Sequence, residues 1–319
     1  MVKKCDPQGW NLAPKEDFPN LCRILEHNHT WKRRHTMISV KELTFSYEGY
    51  EKKVLKDISL EIPEGGFVGI IGPSGAGKST LTYALNGTIP HHYKGDYYGH
   101  VVVDGKDTFD VSLTDLAVSV GTVLQDIDSQ MVASIVEDEL LYGLENFGVP
   151  KEEIPARVEE ALKLIGISDL KDRKIAGLSG GQKQKVAIAA ILALRPKVLI
   201  LDEPTGELDP QSSYQIFKLL RRFNREYGMT IIVVEQKIML LCEFAKELVV
   251  MEKGTIRYQG PVRTVLEHAQ ELEEIGINCP RIVTLSDALA EEGIGSGRIC
   301  LNMDEMESYI QELRNGAKL

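Results

Sequence analysis

The chain has 319 residues, 43% hydrophobic and 26% charged, with a formal net charge of −10. That balance belongs to a globular protein with room for one large domain plus extras, or for two domains, and the acidic sign argues against general electrostatic attraction to nucleic acid. No apolar run approaches the roughly 18 residues that a membrane span needs. The five cysteines (Cys5, Cys22, Cys242, Cys279, Cys300) have no C-x-x-C spacing, and no secretory h-region opens the chain, so they read as free thiols in a reducing compartment.

Residues 1–36 differ from the rest. They hold both tryptophans, two of the five cysteines and an excess of basic residues, without clear periodicity. Two readings stand: a start annotated upstream of a natural Met37, or a disordered or partner-binding arm. From Met37 the text becomes regular, with Ile38–Phe45 alternating as a strand does. Val54–Ile62 repeats that pattern and turns at Pro63-Glu64-Gly65-Gly66; Phe67–Ile71 then predicts a short buried strand, followed by a glycine-rich loop and a helix over Lys78–Asn86. The segment with His91, His92, His100, Tyr93, Tyr97 and Tyr98 reads as a solvent-facing loop rather than a metal site. Val118–Leu124 predicts a strand ending at Gln125. Residues 126–185 read as mostly helical, over Ile135–Glu145, Lys151–Ile165 and onward from Gly181, with Glu137-Asp138-Glu139 as a solvated helix start. Val198–Leu201 and Thr230–Val234 are continuous apolar strands of the kind buried on both faces of a parallel sheet. A short turn and strand follow at Thr255–Gln259, and two or three amphipathic helices complete the tail.

Strands alternating with helices imply an α/β layered core. Within it, Gly72-Pro73-Ser74-Gly75-Ala76-Gly77-Lys78-Ser79 matches G-x4-G-K-S between a strand and a helix, the context that a phosphate loop requires. Backbone N–H groups from Gly75, Ala76, Gly77, Lys78, Ser79 and Thr80 can converge on a β-phosphate. The helix start adds partial positive charge, Lys78 neutralises phosphate oxygens and the Ser79 hydroxyl suits Mg²⁺. Leu199-Ile200-Leu201-Asp202-Glu203 is an apolar strand ending in two acids, a poor structural choice without a counter-ion. Asp202 suits the Mg²⁺ shell, and Glu203 suits a general base that polarises the attacking water. Leu178-Ser179-Gly180-Gly181-Gln182 is a Ser-Gly-Gly turn ahead of a helix, and its N–H groups suit a γ-phosphate.

A phosphate loop, then an LSGGQ segment, then a catalytic carboxylate resemble the ATP-binding-cassette (ABC) ATPases. The resemblance implies a P-loop NTPase core with a parallel sheet, an inserted helical subdomain at about 126–185, an ATPase domain over 37–256 and a C-terminal helical region over 257–319. It further implies that Leu178–Gln182 reaches the ATP of a second subunit in a head-to-tail dimer. Gln125 would touch Mg²⁺ and the attacking water, Tyr47 in Phe45-Ser46-Tyr47 would stack on adenine, and Asp209 would follow the catalytic strand as in that family. The chain departs from the pattern at Gln236, where a His is usual, and at Glu207, where a small residue is commoner. A neutral amide can donate to phosphate but carries no imidazolium charge.

Between Lys78 and Asp202 there is no long coiled coil such as chromosome-organising members insert, and there is one cassette rather than two. Leu85–His91, Val103–Thr108, Gln125–Gln130, Val136–Glu139, Tyr142–Asn146 and Leu178–Ala189 are similar to the ATPases of energy-coupling factor transporters. That resemblance implies a peripheral subunit on the cytoplasmic face of the membrane, working with a second ABC ATPase, a transmembrane scaffold and a small substrate-binding membrane subunit. The complex would import a vitamin, a vitamin precursor or a metal ion. Asp126, Asp128 and Glu137–Glu139 lie where the scaffold's arginines would dock. A conventional ABC importer ATPase and a soluble, non-transport ABC ATPase share the core motifs.

Overall fold

The structure is a computed structural model that describes residues 35–206 and 208–316. The expectations for residues 1–34, with both tryptophans, Cys5 and Cys22, and for Glu207 lie outside the described residues. The chain forms two compact units: one is Asp126–Arg195, the other combines the segments before and after it.

The split unit contains two sheets. In the first, β1 (Thr36–Tyr47) lies between β2 (Leu55–Pro63) and β4 (Gly95–Val103), with β5 (Lys106–Asp107) outside β4, all antiparallel. Val40 of β1 stands opposite Leu60 on one side and Val101 on the other. The second sheet comprises β3 (Phe67–Ile71), β6 (Val120–Val123), β7 (Val198–Asp202), β8 (Thr230–Val234), β9 (Glu247–Glu252) and β10 (Thr255–Pro261), in the order β10-β9-β3-β8-β7-β6. It is parallel from β9 to β6, as expected, and β10 adds one antiparallel edge strand.

Every residue of β3, β7 and β8 is buried. Alternate side chains of these strands, Val68, Ile70, Val198, Ile200, Ile232 and Val234, enter one core with Ile38, Val40, Leu43 and Leu60 of the antiparallel sheet. The intervening set, Leu199, Leu201, Ile231 and Val233, is buried as well, which is the period of two expected for strands covered on both faces. Each such aliphatic side chain contributes about 1.5–3 kcal/mol by leaving water.

Before β6 the split unit carries α1 (Lys78–Leu85), α2 (Thr88–His91) and α3 (Leu113–Ala117). Within Asp126–Arg195 lie α4 (Ile127–Gln130), α5 (Val136–Asn146), α6 (Ile154–Ile165) and α7 (Gly180–Ala193). In α6, Ile154, Val158, Ala161, Leu162 and Ile165 are buried at helical spacing, and the helix packs on α7. Gly166 then ends α6 in the left-handed region at φ 75°.

The chain returns to the split unit with α8 (Pro210–Tyr227), capped by Asp209, entered through a proline and closed by Gly228 at φ 68°. Its Ile216, Phe217, Leu220 and Phe223 are buried; α8 packs on β8, and α9 (Ile238–Phe244) packs on β3. The tail forms α10 (Val262–Leu266), α11 (Ala269–Glu274), α12 (Arg281–Glu291) and α13 (Met303–Gly316), four helices where two or three were expected. Cys300, Met306 and Tyr309 make a small satellite core there with Ile282, Leu289 and Leu313.

β1 contains the expected strand and begins at Thr36, where the His35 carbonyl accepts from Glu64 N–H. Two local expectations need correction. The segment holding Tyr97, Tyr98 and His100 is strand β4, not a loop; its buried residues are Val101 and Val103, so alternation is weak in its Gly-Asp-Tyr-Tyr-Gly-His start. Glu139 is not solvated: it is buried, and its carboxylate accepts from the backbone N–H groups of Val132 and Ala133 at 2.9 and 2.7 Å.

Candidate active site

β6, β7, β8 and β3 are neighbours in the mixed sheet, and the chain leaving each C-terminal end carries a predicted site residue. This is the edge at which open parallel sheets bind ligands. After β3 the phosphate loop turns through glycines whose backbone no other residue would accept. Gly72 has φ 153°, and a Cβ there would lie 2.2 Å from the Met251 carbonyl oxygen; Gly77 has φ 102°, and a Cβ there would be in tight contact at 3.1 Å from the Val54 carbonyl oxygen. Gly77 then caps α1 without any side chain, leaving the helix N-terminus open toward the loop.

Lys78 is buried, and its ammonium donates to the carbonyls of Gly72 at 2.8 Å and Pro73 at 3.1 Å. Burial pushes its pKa down, while the carboxylates of Glu203 and Asp202 push it up. Of the expected phosphate-facing amides, that of Ala76 is donated to the Pro73 carbonyl at 3.2 Å. Asp202, at the end of β7, is 6% exposed. Burial raises its pKa, and the facing Ser79 hydroxyl lowers it. Its Oδ1 is buried with no hydrogen-bond partner among the described residues. A buried carboxylate oxygen without a donor, beside a serine hydroxyl, is the donor set that a hard cation such as Mg²⁺ requires. Ser79 and Asp202 fit the ion.

Glu203 follows in the left-handed region at φ 49°, a conformation that costs a non-glycine residue on the order of 1 kcal/mol or more. Its carboxylate is held by two amides: Gln125 Nε2 donates to Oε2 at 2.9 Å, and Gln236 Nε2 donates to Oε1 at 2.7 Å. The structure therefore brings Gln125, Glu203 and Gln236 together and sets Lys78, Ser79 and Asp202 beside them. A carboxylate accepts at about four lone-pair positions, so two amide donors leave it able to accept from a water.

Tyr47 packs edge-on to Phe45 and Tyr93, and its hydroxyl lies 3.1 Å from Thr80 Oγ1. A cleft of about 310 Å³ opens beside it, between Tyr47–Tyr50 and Lys94–Asp96. Asp209 is engaged as the cap of α8, accepting from the N–H groups of Gln211 and Ser212, each at 3.0 Å.

In the helical unit, Ser179 is the N-cap of α7. Its backbone N–H donates to Gln182 Oε1 at 2.9 Å, and its hydroxyl accepts from Gln182 N–H at 3.4 Å, a reciprocal capping box. Ser179 and Gly180 are exposed, and Leu178, Gly181 and Gln182 are half-buried, so the segment presents its Ser-Gly start to solvent.

One participant escaped sequence reasoning. Glu235, directly after β8, is 2% exposed and accepts from Thr205 N–H at 3.0 Å and from Thr205 Oγ1 at 2.6 Å. The signal was present: an acid ending a five-residue apolar strand, the same pattern that singled out Asp202. The histidines fall elsewhere, His91 against the Thr108 carbonyl at 2.9 Å and His100 against Asp107 at 3.2 Å.

Comparison with known proteins agrees with this geometry. The family described as "ABC transporter" matches residues 55–206. The energy-coupling factor transporter ATP-binding protein EcfA1 of Clostridioides difficile is 40% identical over 280 residues, 87% of this chain and 99% of that protein. Among solved structures, CbiO1 of Clostridium perfringens, described as part of the ABC transporter complex CbiONQ, superposes with a TM-score of 0.67 at 36% identity, covering 79% of this chain and 99% of that one. A dimeric ATP-binding cassette in a post-hydrolysis state, bound to ADP and Pi, superposes with a TM-score of 0.62 at 30% identity over 71% of this chain and 99% of that one. Similarity at this level, running almost end to end through the relatives, is shared by members of one family, and this chain belongs to the ATP-binding proteins of ABC transporters, which hydrolyse ATP.

Proposed function

We propose that this chain is an ATP-hydrolysing subunit of an energy-coupling factor type importer. The observation that carries this branch is the similarity to EcfA1, which spans 99% of that protein. Tyr47 and the adjoining cleft would take the adenine. The phosphate loop would wrap the phosphates, and Lys78 would exchange its two carbonyl partners for phosphate oxygens. Mg²⁺, held by Ser79, Gln125 and Asp202, would neutralise developing charge on the phosphates. Glu203, aimed by Gln125 and Gln236, would take the proton of a water as that water's oxygen bonds to the γ-phosphorus and the bond to ADP breaks. The Leu178–Gln182 turn would serve the ATP of a second cassette. Gln236 in place of a histidine would make this the slower of two unequal sites.

The partner surface is narrower than the acidic text implied. Glu139 is buried on backbone amides, and Glu137 pairs with Lys171 at 3.2 Å. Asp128 keeps a side chain 70% exposed while holding Lys183 at 2.6 Å, and Asp138, Val132 and Tyr142 are exposed in the same unit. A membrane scaffold's arginine would find Asp128 and Asp138. Affinity capture of the full chain from gently solubilised native membranes tests the reading. A second ATPase, a scaffold and a small membrane subunit should co-purify, and Asp128→Lys should lose them while still binding ATP. Recovery of a large conventional permease, or of soluble proteins only, would overturn the branch and leave the ATPase assignment standing.

A further inference from the structure

The catalytic strand end and the segment carrying Gln236 are joined by a group to which the reaction assigns no task. Glu235 is a nearly inaccessible carboxylate. Burial of a charge is unfavourable unless its lone pairs are filled. Here they are filled by both donors of Thr205, its N–H at 3.0 Å and its hydroxyl at 2.6 Å, while the backbone N–H groups of Gln236 and Lys237 also face the carboxylate. Burial is the main influence on its pKa and raises it; these donors act in the opposite direction.

All of these donors belong to the two segments that flank the catalytic carboxylate. Thr205 lies two residues after Glu203, in a turn closed by Gly206 N–H donating to the Glu203 carbonyl at 3.1 Å. Glu203 N–H donates to the Val234 carbonyl at 2.9 Å, and Lys237 Nζ donates to the Thr205 carbonyl at 3.3 Å. The strained backbone of Glu203 is therefore clamped from both sides onto the end of β8, and the same clamp sets where the Gln236 amide begins.

We infer that Glu235 is a positioning residue for hydrolysis: by capping Thr205 and the Gln236–Lys237 amides, it holds the turn of Glu203 in register with Gln236, so that the base and its amide donor meet the attacking water together. Its partners are Thr205 and the Gln236–Lys237 amides, so it acts through the segments of Glu203 and Gln236. The inference rests on Glu203 being the general base. Glu235→Gln keeps the volume and one acceptor oxygen but turns an NH₂ group toward a nest of donors. Thr205→Val removes the hydroxyl while leaving the backbone donor.

The test uses the full-length chain with MgATP. Glu203→Gln comes first and reports on the base. If it leaves turnover intact, the base assignment fails and this inference fails with it. If it abolishes turnover, Glu235→Gln should lower kcat at least tenfold with KM and nucleotide affinity within about twofold of the parent. Thr205→Val should lower kcat less, and the double variant should be no worse than Glu235→Gln. In a Glu203→Gln background, Glu235→Gln should have no further effect on residual single-turnover hydrolysis. Independently of activity, amide exchange at 203–206 should speed up in Glu235→Gln while β6 and β7 stay protected. Unchanged kcat, a parallel loss of nucleotide binding, an additional loss in the Glu203→Gln background, or unchanged exchange at 203–206 would each overturn the positioning role.

Discussion

The two motif-bearing regions are built on opposite principles. At the sheet edge, function is assembled from conformations and charges that are unfavourable by themselves. Gly72 and Gly77 occupy backbone space closed to other residues, Glu203 sits at φ 49°, and Lys78, Asp202 and Glu235 are buried ionisable groups. At the start of α7 nothing is strained. Ser179 and Gln182 satisfy each other in a capping box, and the turn stands exposed and locally complete. A site that must change the bonding of a phosphate benefits from preorganised, desolvated charge. A segment that, as proposed, serves another subunit's nucleotide needs a finished shape and free access. The contrast also separates what mutation should do: chemistry should fail at the edge, and helix stability should suffer at the turn.

The largest expected effect is at Glu203. Glu203→Gln retains the shape and removes the base, so ATP turnover should fall by about 10²- to 10⁴-fold with nucleotide binding preserved. Steady-state hydrolysis beside equilibrium ATP binding would show it, and equal losses in both would mean that the edge is a binding site without a base there. Next is Gln236→His. An imidazole at the position that now donates to Glu203 Oε1 should raise turnover several-fold in the assembled complex. No gain would remove the idea of unequal sites.

At the turn, Ser179→Ala deletes the cap of a 14-residue helix. About 1 kcal/mol of stability should be lost, a drop in Tm of roughly 2–4 °C, and Ser179→Asn should recover most of it. The smallest effect is a pH dependence at the edge. Burial raises Asp202 above its ordinary value of 3.8, so the folded chain binds that proton more tightly than the unfolded chain does. The resulting penalty is absent below the unfolded value and grows as pH rises through the folded one. Asp202→Asn should therefore melt above the parent near pH 7, with the advantage closing as pH approaches 4. A constant offset across that range would assign the change to packing instead.

Much of this was legible in the chain. The phosphate loop, the paired acids after β7 and the LSGGQ turn announced themselves because each is a local device, complete within a few consecutive residues. The fully apolar strands β7 and β8 were equally plain. Strand β4 was missed because its opening residues are glycines, tyrosines and histidines, and its pairing to β1 joins segments more than 50 residues apart, as in Thr44 against Tyr98. Glu139 was misread because an acid at a helix start is usually solvated, whereas here its acceptors serve the chain before the helix.

Local chemistry along the chain settled most of the elements, the nucleotide motifs as sequence patterns, and the family. Only the tertiary structure decided which side chains share a carboxylate. Gln125 and Glu203 are 78 positions apart, Gln236 lies 33 beyond Glu203, and Glu235 reaches Thr205 across 30. These contacts depend on strand order: β6, β7, β8 and β3 stand side by side, and their C-terminal ends open at one edge. Strand order follows from burying two faces of a sheet at once, a condition on the whole core that no window of the sequence contains.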